Sequence, residues 1–127
     1  MLDHNALVVV ADGHHAKLFR NTAKQGVELS EIEQLTPKNL ADEGAGGAPQ
    51  DQSPKDEDEA TFAKQLAERL NRIALRHKAE QVVVIADPTT LGTMRKHYHK
   101  ELEAILVKEL AKDLTNSPAD KIAKALS

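Results

Sequence analysis

Cysteine and tryptophan are absent from this chain, and aromatic residues are scarce, with two Phe and one Tyr in 127 residues. Without cysteine, the chain has no disulfides, no thiolate chemistry and no Cys-ligated zinc. Leu, Val, Ile and Ala must therefore build the core, and stacking of aromatic rings on nucleic-acid bases is nearly excluded as a binding mode. Several classes of site are thus excluded before any motif is considered.

Long apolar runs are also lacking, since none approaches the ~20 residues that span a bilayer. The first residues show no basic segment followed by an apolar one, so the sequence predicts a cytoplasmic protein without membrane contact. The net charge of −3 argues against a generally basic surface that coats nucleic acid, and basic patches must be judged individually. The length predicts one domain, residues 1–127.

Three consecutive strands are predicted in the first part of the chain. Residues 6–11 form a continuous β-branched run typical of a central strand, a turn pair follows, and residues 16–21 form the second strand. Residues 27–35 alternate as a third strand, with an offset at Ile32 that predicts a β-bulge. Short connections make these strands an antiparallel meander.

Apolar periodicity disappears over residues 36–58, where proline, glycine and acids accumulate, and this composition predicts a mobile loop. Apolar residues at helical spacing then predict an amphipathic helix from residue 59 to about 78, covering one face of the sheet. A strand over residues 81–86 ends at Asp87 and Pro88, where a helix begins. The apolar stripe of that helix is Leu91, Met94, Tyr98, Leu102 and Ile105.

Residues 106–114 fit two structures, because their leucines continue a helical stripe and also alternate as a short strand. Ser117 and Pro118 then combine an N-cap with proline at the first helical position, which predicts a terminal helix. This order of elements predicts an α/β sandwich with a mixed sheet, in ribonuclease H-like order. A right-handed crossover would set the fourth strand parallel to the first.

Three groups of segments match a known bacterial family in order. They are residues 9–13 with 16–19, then 85–88 with Leu91-Gly92 and Arg95, and finally 108–115. They resemble the family named for attachment to host cells, also described as release-factor-like because its members resemble the middle domain of archaeal and eukaryotic peptide release factors. The resemblance implies that residues 107–114 are a fifth strand, and that the domain serves translation or RNA binding.

The resemblance also places the 36–58 loop where the release factors carry a Gly-Gly-Gln tip. Here Ala48 and Pro49 separate Gly47 from Gln50, and proline fixes φ and removes a hydrogen-bond donor. Peptide-release activity is therefore not expected. The acidic, glycine-rich loop also departs from the arginine- and aspartate-containing segment that is common in the family.

The candidate surface is the carboxyl edge of the predicted sheet. Asp12 and Asp87 follow strands expected to be parallel neighbours, so their carboxylates should approach each other, as in Mg²⁺ sites for phosphoryl transfer. The alternative is structural: Asp12 accepts turn N–H groups and Asp87 caps a helix. Asp113 fits either account.

Basic residues are densest at 95–100, and Arg95 is expected near the exposed N–H groups of a helix start, which bind phosphate. A solvated helix face is the alternative reading. His14 and His15 follow Asp12, but adjacent residues on a strand point to opposite faces, so only one of them could ligate a metal alongside Asp12, and no histidine metal site is predicted. Lys17, Lys112 and Arg20 would extend this basic patch only if folding brings them together.

These features predict a non-enzymatic binding domain whose partner is the ribosome, structured RNA or a protein, with no cofactor and no metal. Two alternatives remain: a metal-dependent nuclease using Asp12 and Asp87, and an indirect role in attachment to host cells. The candidate surface consists of Asp12, His14, Lys17, Asp87, Arg95, Lys112 and Asp113.

Overall fold

The computed structural model of the chain describes residues 3–37 and 55–126. Its strands are β1 (Leu7–Ala11), β2 (Ala16–Asn21), β3 (Leu29–Leu35), β4 (Val82–Ala86) and β5 (Leu106–Ala111). The helices within these residues are α1 (Lys55–Leu75), α2 (Pro88–Arg95), α3 (Lys100–Ile105) and α4 (Ala119–Leu126).

The five strands form one mixed sheet in the order β3-β2-β1-β4-β5. β1 pairs antiparallel with β2 and parallel with β4, and β5 is parallel to β4. Every residue of β1 and β4 is buried, as expected for central strands covered on both faces. The predicted α/β fold with a meander and a mixed five-stranded sheet is confirmed, and it is consistent with the ribonuclease H-like arrangement.

Helices cover both faces of the sheet because successive strand residues point to opposite sides. On one face Leu7 and Val9 share a core cluster with the buried stripe of α1 and with residues of α2 and α3. On the other face Val8 and Val10 share a cluster with Ile122 and Leu126 of α4. Burying one side chain of this size contributes about 1.5–3 kcal/mol to the stability of the fold. The cluster covered by α1 has more buried residues than the other, so burial on that face contributes more to stability.

A β-bulge interrupts the pairing of β2 and β3. Leu18 faces Glu33 and Phe19 faces Glu31, which leaves Ile32 without a partner on β2. The bulge predicted at Ile32 is confirmed. The side chain of Ile32 is consequently 50% exposed.

The first helix begins at Lys55, four residues earlier than predicted, so the end of the predicted 36–58 loop is helical. Residues 38–54 of that loop, including Gly47 and Gln50, lie outside the described residues.

The same helix ends at Leu75 rather than near residue 78, with a Schellman motif. The N–H of His77 donates to the carbonyl of Ala74 at 3.1 Å, and the N–H of Lys78 to that of Ile73 at 3.0 Å. His77 has a φ of 54°, in the left-handed region where glycine is usual.

The helix predicted after β4 is two helices, which corrects the sequence-based prediction. α2 ends at Arg95 and α3 starts after His99, whose Nδ1 accepts the N–H of Glu101 at 3.0 Å as an N-cap. Asn71 of α1 holds the connection by accepting the N–H of His99 and donating to the carbonyl of His97, both at 2.8 Å. Leu91, Met94 and Leu102 are buried in one core cluster, so a single apolar stripe runs across the break.

The last part of the chain settles the ambiguity over residues 106–114. Leu106–Ala111 is a strand, as the resemblance implied, although it ends three residues earlier. The predicted terminal helix is also confirmed, and its Ile122 and Leu126 are buried. Among the residues described, no helix is both long enough and apolar enough to cross a bilayer.

Candidate functional site

The carboxyl ends of the three parallel strands meet at one edge of the sheet, called here the carboxyl edge. Ala11 of β1 lies beside Ala86 of β4, and Ala86 lies beside Ala111 of β5. The next residues therefore lie along this edge: Asp12 after β1, Asp87 after β4, and Lys112 and Asp113 after β5. His14 lies in the β1–β2 turn at the same edge, and Lys17 follows at the start of β2, paired with Val10.

Asp12 organises the turn that follows β1. Its Oδ1 accepts the backbone N–H groups of His14 at 2.7 Å and His15 at 2.8 Å, and the Nδ1 of His15 lies 3.3 Å from the same oxygen. Burial by itself would raise the pKa of Asp12. The two backbone hydrogen bonds, the charge of His15 and a hydrogen bond from Thr115 together lower this pKa below its ordinary value.

Thr115 joins the acids that follow β1 and β5. Its buried hydroxyl oxygen lies 2.6 Å from Oδ1 of Asp113 and 3.2 Å from Oδ2 of Asp12. The N–H of Thr115 also donates to Oδ1 of Asp113 at 3.2 Å. Because a threonine hydroxyl has one proton, it donates to one of the two carboxylates at a time. Thr115 was not singled out in the sequence, where no local pattern connects it to Asp12.

Asp87 is the N-cap of α2. Its Oδ2 accepts the N–H of Thr90 at 3.1 Å, and its carbonyl accepts the N–H of Leu91 at 2.9 Å. Pro88 occupies the start of the helix, where its missing N–H costs nothing. The turn role of Asp12 and the cap role of Asp87 are thus those that the structural alternative predicted. Over the described ranges, 3–37 and 55–126, no group of three or more His, Asp or Glu side chains has the geometry to hold a metal.

Arg95 is not where the sequence placed it. It lies in the last turn of α2 instead of near the helix start, because the helix ends at that residue. Its guanidinium contacts Oε1 of Glu109 on β5, at 3.0 Å from Nη2 and 3.2 Å from Nε. Glu109 pairs with Val84, two residues inside the strand ends, so Arg95 does not belong to the carboxyl edge.

Glu109 also accepts the hydroxyl of Tyr98, through Oε2 at 3.2 Å. Burial is the main cause that raises the pKa of Tyr98, and the negative charge and hydrogen bond of Glu109 raise it further. Arg95, Tyr98 and Glu109 therefore form a local polar network that fixes the end of α2 against β5.

A basic cleft was missed by sequence reasoning. Its lining, called here the α1 groove, comprises Arg69, Arg72, Ile73, Arg76 and Lys78, around an open volume of about 250 Å³. Three arginines at positions i, i+3 and i+7 of one helix share a face, and this spacing was the signal in the sequence. The apolar periodicity of the same helix drew attention to its opposite, buried side.

Fold and site together define a small α/β domain with a mixed sheet. At the carboxyl edge of that sheet, the acidic side chains are hydrogen-bonded to other groups of the same chain. A model of the bacterial archaeo-eukaryotic release factor family 12 matches residues 5–126, and the chain belongs to this family. The predicted release-factor-like resemblance is confirmed. The role in attachment to host cells stays a prediction.

Individual relatives add little to the family match. The uncharacterised protein RP470 of Rickettsia prowazekii (strain Madrid E) is 29% identical over 74 residues, which cover 57% of this chain and 49% of that protein. The chain thus spans about half the length of this curated relative.

Two solved structures share 16% identity with the chain. One, described as an archaeal protein, has a TM-score of 0.49 and is matched over 85% of this chain and 30% of its own. The other is the Ppx/GppA phosphatase of Aquifex aeolicus in its type II variant, with a TM-score of 0.41, over 83% of this chain and 34% of its own.

Proposed function

We propose that the domain is a translation-associated binding module that recognises the ribosome or structured RNA through its carboxyl edge, without making or breaking bonds. The observation that carries the proposal is the match of residues 5–126 to a release-factor-like family. In this proposal the exposed His14 and Lys112 and the half-buried Lys17 make the contacts. Asp12, Asp87 and Asp113 hold the segments that carry them.

The hydrogen bonds at the edge support binding over catalysis. Asp12 uses both carboxylate oxygens within the chain, one for two backbone N–H groups and the other for Thr115. Asp113 accepts the backbone N–H of Thr115, and the hydroxyl of Thr115 donates its one proton to either Asp113 or Asp12 at a time. A carboxylate that holds a turn in this way is a scaffold for neighbouring side chains, whereas a metal-dependent enzyme needs carboxylate oxygens available to coordinate the metal ion.

Sedimentation with ribosomes tests the proposal. The wild-type protein should co-sediment with ribosomes at low salt, and Lys17→Glu with Lys112→Glu should release it. The control is Lys108→Glu with Lys121→Glu, which changes the charge equally at exposed sites elsewhere. A wild-type protein that never enters the ribosomal fraction, or equal release by both pairs, contradicts the proposal.

A metal-dependent nuclease is the second candidate, favoured by one observation. Oδ1 of Asp87 is buried without a hydrogen-bond partner among the described residues, and such an oxygen is costly unless something pairs with it. Incubation of labelled RNA or DNA with Mg²⁺ or Mn²⁺ tests this candidate. Cleavage abolished by Asp12→Asn and Asp87→Asn would support it, and intact nucleic acid would remove it.

A further inference from the structure

The α1 groove is lined mainly by cationic side chains, although the net charge of the protein is negative. Four of the five lining residues are Arg or Lys, and none is acidic. Its axis follows the C-terminal half of α1, and Lys78 lies just before β4. The groove therefore lies toward the amino end of β4, away from the carboxyl edge, and the inference drawn from it is independent of the proposed function.

The surroundings of each cation are defined. Arg69 pairs with Glu33 of β3, with 2.8 Å between Nη2 and Oε1. Arg72 is half-buried on the same helix face, with Glu68 four residues before it, while Arg76 and Lys78 are exposed. Arg20 of β2 is a fifth cation beside the groove, and its Nη2 donates to the carbonyl of Lys78 at 2.9 Å.

Helix stability alone does not explain this concentration of charge. Cations in the last turn of a helix interact favourably with its dipole, which accounts for Arg72 and Arg76. Arg69 lies too far from the helix end for that effect, and Lys78 lies beyond it. Arg69 is paired with Glu33, but Arg72 and Arg76 are like charges spaced by one helical turn, and an anion bound beside them would relieve their repulsion.

We propose that the α1 groove binds the phosphodiester backbone of single-stranded RNA. Side chains one helical turn apart are separated by about 5–6 Å at Cβ, so the arginine row can contact successive phosphates along a strand. The planar guanidinium donates two parallel bonds to phosphate, which suits this contact.

The scarcity of aromatic residues indicates that the groove binds RNA through phosphate contacts and without base stacking. Phe19 and Phe62 are buried in the core and Tyr98 is bonded to Glu109, so the groove has no ring to stack on a base. Contacts to phosphate alone carry no sequence information and depend strongly on salt. The groove therefore binds a strand of any sequence.

Fluorescence anisotropy with a labelled oligouridylate, titrated over a salt series, tests the proposal. Arg76→Glu with Lys78→Glu should weaken binding by at least about tenfold, and the slope of log K against log salt should fall by about 1.4 for two lost contacts to a single strand. Lys108→Glu with Lys121→Glu is the matched control, because it changes the net charge equally and lies outside the groove. An oligoadenylate should bind with similar affinity.

Three results would overturn the inference: wild-type protein that does not bind the oligonucleotide, equal losses in both variant pairs, or inorganic phosphate that competes at the same concentration of phosphate groups as RNA. Arg76→Gln with Lys78→Gln guards against misfolding, because its thermal unfolding should stay close to wild type while RNA binding still weakens. Ribosome sedimentation separates the two proposals. Oligonucleotide binding without ribosome binding retains the groove alone, and the reverse retains the carboxyl edge alone.

Discussion

The hydroxyl of Thr115 lies 3.2 Å from the carboxylate of Asp12, although 103 positions separate the two residues in the sequence. The contact connects the turn after β1 with the segment after β5, across the width of β4. Thr115 is fully buried there and also bonds Asp113, so one side chain fixes two parts of the carboxyl edge. The geometry of the proposed binding surface therefore depends on a residue that would not itself contact the partner.

Removal of the Thr115 hydroxyl should destabilise the protein, and the size of this effect should depend on whether Asp12 is present. Thr115→Val keeps the volume but removes the donor, and it should lower the free energy of unfolding by about 1–2 kcal/mol, because carboxylates lose a bond that water replaces only in part. Urea unfolding of Thr115→Val, Asp12→Asn and the double variant forms the test. A coupling energy of at least about 0.5 kcal/mol is expected, and strictly additive effects would contradict the contact.

The acid limb of the stability curve should depend on Asp12. Its pKa is lower in the folded chain than in the unfolded chain, so the folded state binds fewer protons between the two values. The resulting stability is present above the unfolded value of about 3.9 and is lost as the pH falls through the folded pKa. Asp12→Asn should flatten the curve below about pH 4, as urea unfolding at several pH values would show. Glu103→Gln, an exposed acid, is the charge control and should leave that limb unchanged.

Tyr98 should ionise at a higher pH than an exposed tyrosine. It is the only tyrosine and the chain lacks tryptophan, so an ultraviolet titration reports this phenol alone. Glu109→Gln should bring the pKa part of the way back toward about 10, since burial remains. The folded state binds more protons than the unfolded state above that pH, so this contribution to stability is present below about pH 10 and is lost at higher pH. An unchanged titration in the variant would contradict the Glu109 contribution.

His77→Gly should stabilise the protein. His77 occupies the left-handed position of the Schellman motif at the end of α1, where a Cβ is unfavourable. Glycine relieves that strain at some cost in unfolded-state entropy, and a net gain of about 0.5–1 kcal/mol in the free energy of unfolding is expected. Thermal and urea unfolding measure it. His77→Ala keeps the Cβ and should give no gain, so equal stabilisation by alanine would refute the explanation.

Local patterns predicted the elements and some of their details. The apolar runs of β1 and β4 predicted buried central strands, because a strand covered on both faces has no need of alternation. The offset at Ile32 predicted a bulge, and Asp87 with Pro88 predicted a helix start. In each case neighbouring residues supplied the physical cause.

Patterns failed where distant contacts decided the structure. The break between α2 and α3 depends on Asn71, which belongs to another helix and bonds both sides of the break. Periodicity continued across that break because the residues on both sides bury against the same core. Because α2 ends at Arg95, this residue lies away from the helix start where a phosphate site was expected, and it pairs with Glu109 of β5 instead.

The sequence by itself determined the first four strands and the helix starts after β3 and β4, and it excluded chemistry that needs cysteine, since all of these follow from residue type and spacing along the chain. Only the tertiary structure decided which polar and charged groups meet: Thr115 with Asp12, Arg95 with Glu109, and the arginine row of α1 with Lys78. The reason is physical. Hydrogen bonds and ion pairs act over a few ångströms, and the register of the sheet and the packing of its helices set which distant residues come that close.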